Sequence, residues 1–468
     1  MMITHKQIVQ TFIIAWCCAI NIPLFGLSSL AKNDPYPVYN TLDPHTFLYT
    51  YEKLKVTDPK SAERKHDNVG LSIAPFGQNA DRGRNLNGVK VPLGDLTGRW
   101  SMLALMFGPI PTGKTMAPTL QTALTNLFPG VAPGDLNDGS KIDPNQNFGF
   151  FSVPLKYRKR GIRFELAADI YAGFGLSVQT GIVSMTQTST GFLDQTGCDG
   201  FSCPFEPVTP TQADVRTYLM HEWKTIAKEI QLDIGSFCET SVEEVRINLF
   251  WRRGFELNRD EEDESCHPHF LLIPFFMVSG GASPGDEDRI VGGFNKAFFT
   301  PFGNNDHNTI GFTAGLNFDF VDTVEIGGEV GVTHFFSKNF EKFRLPTSEW
   351  QSGVYPFFTD VRVSPGFNWH FGAKISSYHF LECLSGYFEY IQVRHSQDKI
   401  ELRKCEDQGI FFPNQLEVLT GFEVKLVNAA LNYDISPNIN LGIMGQIPLS
   451  QKNAYRSSTI LFSFAATF

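Results

Sequence analysis

The sequence predicts an all-β chain, a closed antiparallel transmembrane β-barrel of about 12 strands, with 14 left open, carrying helix-containing long loops. Three observations predict it. Apolar residues alternate with Gly, Asn, Thr and charged residues at a period of two over many segments. Past the N-terminus no stretch reaches the roughly 18 apolar residues of a spanning helix; the longest candidate, Phe270 to Val278, falls well short. The connections between alternating segments are by turns long and short, as expected when successive turns lie on opposite sides of a membrane.

At the N-terminus Lys6 precedes the apolar run Ile8 to Leu27, and Ser29-Leu30-Ala31 offers small residues to a peptidase. Residues 1–31 are therefore read as a secretory signal cut after Ala31. The alternative is an uncleaved anchor helix, against which Asn21 and Pro23 interrupt the run. Residues 32–67 form a leading segment and 68–468 the barrel. Strands are read near 68–77, 147–158, 161–186, 242–256, 267–280, 307–320, 322–336, 361–378, 383–397, 415–433, 438–447 and 456–468. The clearest pair sets Ile310, Phe312, Leu316, Phe318 and Phe320 against Gly311, Thr313, Asn317 and Asp319, then Val324, Ile326, Val330 and Val332 against Glu325, Gly327, Glu329 and Gly331. A helix would scatter those apolar residues around its circumference. Alternation is blurred near 147–158, 267–280 and 383–397, and the long run 161–186 reads equally as a hairpin bent at Gly173 or Gly175.

The long loops 78–146 and 187–241 carry helical spacing. Val215, Leu219, Trp223, Ile226 and Ile230 follow a candidate N-cap, Thr211; Thr97 to Phe107 and Thr119 to Leu127 are shorter candidates. Parts of both loops are expected to fold into or over the barrel mouth, so that deleting 190–238 enlarges conductance.

Composition narrows the class. Hydrophobic residues are 42%, too few for a bundle of spanning helices, while 43 Phe and 41 Gly suit lipid-facing aromatics opposite an unobstructed inner face. A net charge of -10 excludes a general nucleic-acid binder, which needs a basic surface.

Six cysteines follow the signal: Cys198, Cys203, Cys238, Cys266, Cys383 and Cys405. An even count in an oxidising compartment permits disulfides, and Cys198 with Cys203 is the local pair expected; free thiols are the alternative. Gly108 to Thr115 fits GxxxxGK[ST], but Pro109 and Pro111 lack the N–H donors such a loop aims at phosphate, so a nucleotide is not expected. His267-Pro268-His269 lacks a third metal ligand nearby, and the acidic run Asp260 to Glu264 lacks the spacing of a calcium loop. No cofactor or metal is implied. His221, His307 or His395 would suit a barrel enzyme by position, yet nothing local pairs them with a nucleophile, and no enzyme is expected.

In the last strand Ile460, Phe462, Phe464, Ala466 and Phe468 share one face, with Thr459, Ser463, Ala465 and Thr467 on the other and Leu461 the departure. This resembles the C-terminal assembly signal of bacterial outer-membrane β-barrels, specific over about a dozen residues and architectural for the rest. The resemblance implies an exported multi-pass barrel in the outer membrane, lipid contact, insertion by the barrel-assembly machinery, and a periplasmic location for 32–67.

Function is read from charges on the expected inward faces: Arg163, Glu165, Asp169, Arg246, Arg252, Glu325, Glu329, Arg362, Lys374, Glu417, Glu423 and Lys425. Arg or Lys on the lipid face would cost about 2–4 kcal/mol at midplane. Charge of both signs suits a wet pore with a transverse field, or equally an ion-paired plug. The reading is a porin-like channel for passive diffusion of small hydrophilic solutes. Its alternatives are an envelope structural barrel, perhaps disulfide-linked to neighbours, and a gated transporter of apolar solutes; homo-oligomers stay open.

Overall fold

A computed structural model describes residues 69–101, 105, 109–127, 150–189, 191–194, 210–256, 270–283, 290–291, 294–297, 302–320, 324–349, 351–436 and 438–468. The barrel strands, numbered in chain order, are β1 Val69–Ala80, β2 Leu155–Tyr171, β3 Phe174–Ser189, β4 in two pieces (Phe237–Val242 and Val245–Arg252), β5 Phe270–Ala282 and β6 Thr309–Phe320. They continue as β7 Val324–Phe335, β8 Asn368–Leu381, β9 Leu384–His395, β10 Phe422–Ser436, β11 Ile439–Lys452 and β12 Ser458–Thr467. Each pairs antiparallel with the next, and β12 pairs with β1, from Gly70 opposite Thr467 to Asn79 opposite Ser458. The ring of 12 strands is closed, so no strand edge is left unpaired.

The residues dictate the facing. On β6, Ile310, Phe312, Phe318 and Phe320 are exposed on the outer wall while Thr309, Thr313, Asn317 and Asp319 are buried inside. From Ile310 to Phe320 the apolar face spans about 25 Å, taking roughly 3.3 Å per residue and a tilt near 40°, the height of a bilayer's apolar band. Ile460, Phe462, Phe464 and Phe468 of the last strand also lie outside and exposed; Leu461, the departure from its alternation, is buried inside.

One end of the barrel has tight turns, as at 172–173 and 382–383, and holds both strand termini, where Val69 and Phe468 exchange backbone hydrogen bonds of 3.3 and 2.8 Å. The other end carries the long connections 81–154, 190–236, 283–308, 336–367 and 396–421. These hold α1 Pro118–Leu127, α2 Pro210–Glu229, α3 Pro413–Val418 and a rim sheet of Lys338–Arg344, Phe358–Ser364 and Lys399–Leu402. No described helix is long and apolar enough to cross a membrane.

The strand count matches the sequence reading by a different accounting. No separate strand spans 147–158: Lys159-Arg160-Gly161, which reads as a turn, continues β2 in register with both neighbours. The run 161–186 is instead the hairpin of β2 and β3. The expected strand 361–378 divides at Pro365-Gly366, its first part joining the rim sheet and its second becoming β8. The expected start of the strand at 415 is helix α3, and β10 begins at Phe422. Residues 1–68, with the expected signal and leading segment, lie outside the described residues, as do Cys198, Cys203 and Cys266.

Candidate functional site

The interior is organised around an interruption in β4. Glu243 and Glu244 stand between its two pieces, and both side chains are buried inward, which consecutive residues of a regular strand cannot do. Glu243 turns toward β2, where its Oε2 accepts from Arg163 Nε at 2.9 Å and its Oε1 pairs with Lys159. Both cations also lie over the Phe76 ring, at 4.1 Å for Arg163 and 5.8 Å for Lys159. To reach them the carboxylate passes over β3 at Gly181, where a Cβ would stand 2.6 Å from Glu243 Oε2. Glu244 turns the other way and accepts from Arg246 Nη2 at 3.0 Å, Asn304 Nδ2 at 2.6 Å and Thr309 Oγ1 at 3.0 Å. It passes over β5 at Gly281, where a Cβ would fall 1.6 Å from its Oε1. The doubled glutamate therefore ties β4 to β2 on one side and to β6 on the other.

Lower in the barrel, fully buried Glu325 pairs with Lys374 Nζ at 3.1 Å and has Arg252 Nη2 at 4.0 Å. Glu329 lies 3.5 Å from His370 Nε2, Glu389 accepts from Asn428 Nδ2 at 2.8 Å, and Glu165 accepts from Gln179 Nε2 at 3.1 Å. Asp169 is half-buried near the short-turn end of β2. Burying a charge is costly unless it is paired or hydrogen-bonded: Glu325 faces Lys374 and Arg252 and Glu329 faces His370 across the strands, while Glu165 and Glu389 accept from amides.

Of the charges expected inside, Arg163, Glu165, Asp169, Arg246, Arg252, Glu325, Glu329 and Lys374 lie on inward positions of barrel strands. Four do not. Arg362 is exposed on the rim sheet, donating to Ser337 Oγ at 2.8 Å, and Glu417 lies on α3, accepting from the Ile400 N–H at 2.6 Å. Glu423 and Lys425 lie on the outer face of β10, 3.4 Å apart, while Val424 and Leu426 are buried inside. The physical reason is that polarity inverts near the long-loop end. There the interior is packed protein and the exterior is no longer hydrocarbon, so Tyr157, Val183, Met185, Ile391 and Val393 face in while Arg158, Ser184, Gln392 and Arg394 face out. Sequence reasoning also missed Lys159, Glu243, Glu244 and Glu389. The Glu243-Glu244 doublet, breaking alternation just before Val245, was the available signal.

The inverted interior holds a plug. Trp223, Ile226 and Ala227 of α2, with Ile230 just past its end, pack with Leu120, Ala123 and Leu124 of α1, Trp100, and the inward residues Ala80, Tyr157 and Met185 in one apolar core. Glu229, near the end of α2, accepts from the Thr119 N–H at 3.0 Å and its Oγ1 at 2.7 Å, placing a carboxylate at the positive end of α1. Arg344 of the rim sheet reaches the end of α2, donating through Nη2 to the carbonyls of Ile230 (2.6 Å) and Gln231 (3.0 Å) and through Nη1 to those of Tyr355 (2.9 Å) and Pro356 (3.2 Å). Burial pushes its pKa down to about 10. Most of the expected helix Thr211 to Ile234 is thus α2; at Thr97 to Phe107 the segment Trp100–Ser101 is instead a strand paired with Phe150–Ser152.

The remaining motifs carry no assembled chemistry among the described residues. Lys114 of the GxxxxGKT stretch lies over the Phe358 ring at 4.2 Å, and Gly108 lies outside the described residues. His267, His269 and Asp260 to Glu264 lie outside them too, and no described cluster of His, Cys, Asp and Glu could hold a metal. Cys238, Cys383 and Cys405 are free thiols. His221 is exposed and 2.9 Å from Glu222. His395 is buried between Asn368 Oδ1 (2.6 Å) and Asp398 Oδ1 (2.7 Å), while His307 donates from Nδ1 to the Phe336 carbonyl at 2.8 Å and is pushed down to about 4 by burial.

The fold and interior define a closed antiparallel barrel of transmembrane type with a plugged mouth. No family model matches the chain, and no curated protein does. Among solved structures it is similar to an outer membrane channel from Pseudomonas putida F1, at 10% identity over 88% of this chain and 99% of that one, with a TM-score of 0.45. It is also similar to the toluene transporter of Ralstonia pickettii (8% identity, 86% of this chain and 90% of that one, TM-score 0.29) and to the KdgM porin (9% identity, 68% and 98%, TM-score 0.27). At such identities and scores none of these likenesses bears on what this chain does.

Proposed function

We propose that this protein is an outer-membrane channel for small hydrophilic solutes whose outer mouth is closed at rest by the α1–α2 plug. One observation carries the reading. Between the plug and the short-turn end, the inner wall of β6 to β11 is built of Thr313, Asn317, Asp319, Glu325, Lys374, Ser376, Asn428, Asn432 and Gln446, a surface that suits hydrated solutes once the plug moves. The long loops face outward in this reading, because outer-membrane barrels keep their short turns in the periplasm. Insertion through the barrel-assembly machinery and an N-terminal signal complete it.

A second reading, gated passage of apolar solutes, draws on the apolar core, which continues from the plug to the wall residues Tyr387, Ala430, Met444 and Leu461. Planar-bilayer recordings separate them. The first expects sparse ohmic openings that become frequent when 195–231 is replaced by a short Gly/Ser linker. The deletion stops short of Phe237, because Phe237–Val242 belongs to β4. Silence in both forms, with the barrel folded, would refute the hydrophilic channel.

A further inference from the structure

On β2 the outer face changes character within two residues. Ile162 is the last exposed apolar residue toward the long-loop end, and Arg160, Arg158 and Lys156 follow it on the same face, all exposed. With roughly 3.3 Å per residue and a tilt near 40°, they stand about 5, 10 and 15 Å above the edge of the apolar band. That is the headgroup layer and no deeper.

The neighbours on this face are neutral and small. On β1, Gly77 lies opposite Arg160 and Asn79 opposite Arg158; on β3, Ser184, Thr186 and Thr188 lie opposite Arg160, Arg158 and Lys156. One strand further on, β4 offers Cys238 and Thr240. The acid nearest in register is Asp81, just past the end of β1, and no described carboxylate forms an ion pair with any of the three cations. The outer face of β9 and β10 is different: there Arg394 and Lys425 accompany Glu423, which pairs with Lys425 and accepts from Gln392 Nε2 at 2.9 Å.

We infer that Lys156, Arg158 and Arg160, with the hydroxyls of Ser184, Thr186 and Thr188, form a docking surface for the phosphate of an outer-leaflet glycolipid. Three cations with no ion-pair partner among the described residues, at alternate positions, present a rigid row about 7 Å apart, and guanidinium groups bind phosphate oxygens two at a time. The hydroxyls of Ser184 and Thr188 supply further donors, Thr186 Oγ1 donates to Cys238 Sγ at 3.5 Å beside them, and the absence of bulky neighbours on β1 leaves room for a sugar headgroup. The acyl chains would then lie against Ile162, Leu166 and Ile182 below. This surface rests on the outward orientation of the long loops proposed above.

The test uses the full chain folded in detergent, with native mass spectrometry against diphosphorylated lipid A and its dephosphorylated form. Wild type is expected to retain the phosphorylated lipid about 10-fold better, and K156Q/R158Q/R160Q to lose that preference, since charge-assisted phosphate contacts supply it. R394Q/K425Q is expected to keep it, and millimolar inorganic phosphate to leave it in place. Unchanged preference in the triple variant, equal loss in R394Q/K425Q, or displacement by inorganic phosphate would each overturn the site. Heat-modifiable gel mobility separates the two failures. A chain that never forms a heat-modifiable barrel overturns the membrane reading and the site together, whereas a folded chain indifferent to phosphate overturns the site alone.

Discussion

Arg344→Ala is expected to unlatch the plug. Two of the four hydrogen bonds from its guanidinium cross from the rim sheet to the carbonyls of Ile230 and Gln231, the negative end of α2; the other two stay within its own loop, on Tyr355 and Pro356. Hydrogen bonds from a charged group contribute about 1.5–3 kcal/mol each, so the two that cross hold the plug by roughly 3–6 kcal/mol. Against this stands the burial that pushes the pKa of Arg344 down to about 10 from the ordinary arginine range, which costs about 3 kcal/mol. Removing the side chain relieves that cost as well as the bonds, leaving a net shift of about 0–3 kcal/mol toward the open mouth, about 1.5 kcal/mol or roughly 10-fold in open population at the middle of that range. Single-channel recordings in planar bilayers measure that fraction directly. Arg344→Lys, with one nitrogen in place of the fork, is expected to fall between. An open fraction unchanged in Arg344→Ala, with circular dichroism reporting an intact barrel, would refute the latch.

Two further outcomes follow from the buried charges. Glu243→Gln leaves Lys159 and Arg163 without their carboxylate, and breaking a buried pair in this way is expected to cost about 3–5 kcal/mol, read as a lower urea midpoint in detergent; K159M/E243Q should recover part of it. His307 is held neutral with a pKa of about 4 against an ordinary 6.5, so its contribution to stability is complete above about pH 6.5 and is lost as pH falls toward 4, by at most about 3 kcal/mol. His307→Gln should flatten stability across that window, and a profile identical to wild type would count against the assignment.

The barrel was legible in the sequence wherever one wall meets hydrocarbon, because there a single rule sets both faces. β6 and β7 could be read residue by residue for that reason. The same rule misplaced Glu423 and Lys425, since above the apolar band the interior is packed protein and Val424 and Leu426 turn inward with Phe335, Phe422 and Ala454. Lys159-Arg160-Gly161 misled as well, because charges that signal a turn in water are accommodated mid-strand here: Lys159 inside against Glu243, Arg160 outside at headgroup level. Arg362 and Glu417 were misplaced by a different cause: Pro365-Gly366 and α3 end the segments that carry them, and alternation alone does not say which sheet a strand joins. The ion pairs were legible as residue types but not as partners. Glu243 reaches Arg163 over Gly181 from the strand beyond, and nothing in their spacing of 80 residues announces it.

The doubled glutamate also bears on why the barrel closes in a single register. A slip of one residue between β3 and β4 would turn the cation-paired carboxylates toward the outer wall, and a slip of two would set Gly181 out of line with Glu243 and drive the carboxylate into a side chain. On the other flank Gly281 must likewise stand beside Glu244 for it to reach Thr309 on β6. Both conditions are met at only one offset of β4 against its neighbours. The apolar wall outside cannot impose this by itself, because a slip of two residues restores its alternation. Buried ion pairs are a weak source of net stability, yet a strong penalty falls on any arrangement that leaves them unpaired. Here that penalty falls on the registers that hydrophobic patterning leaves degenerate, which gives the interior charges a structural role whether or not a solute passes between them.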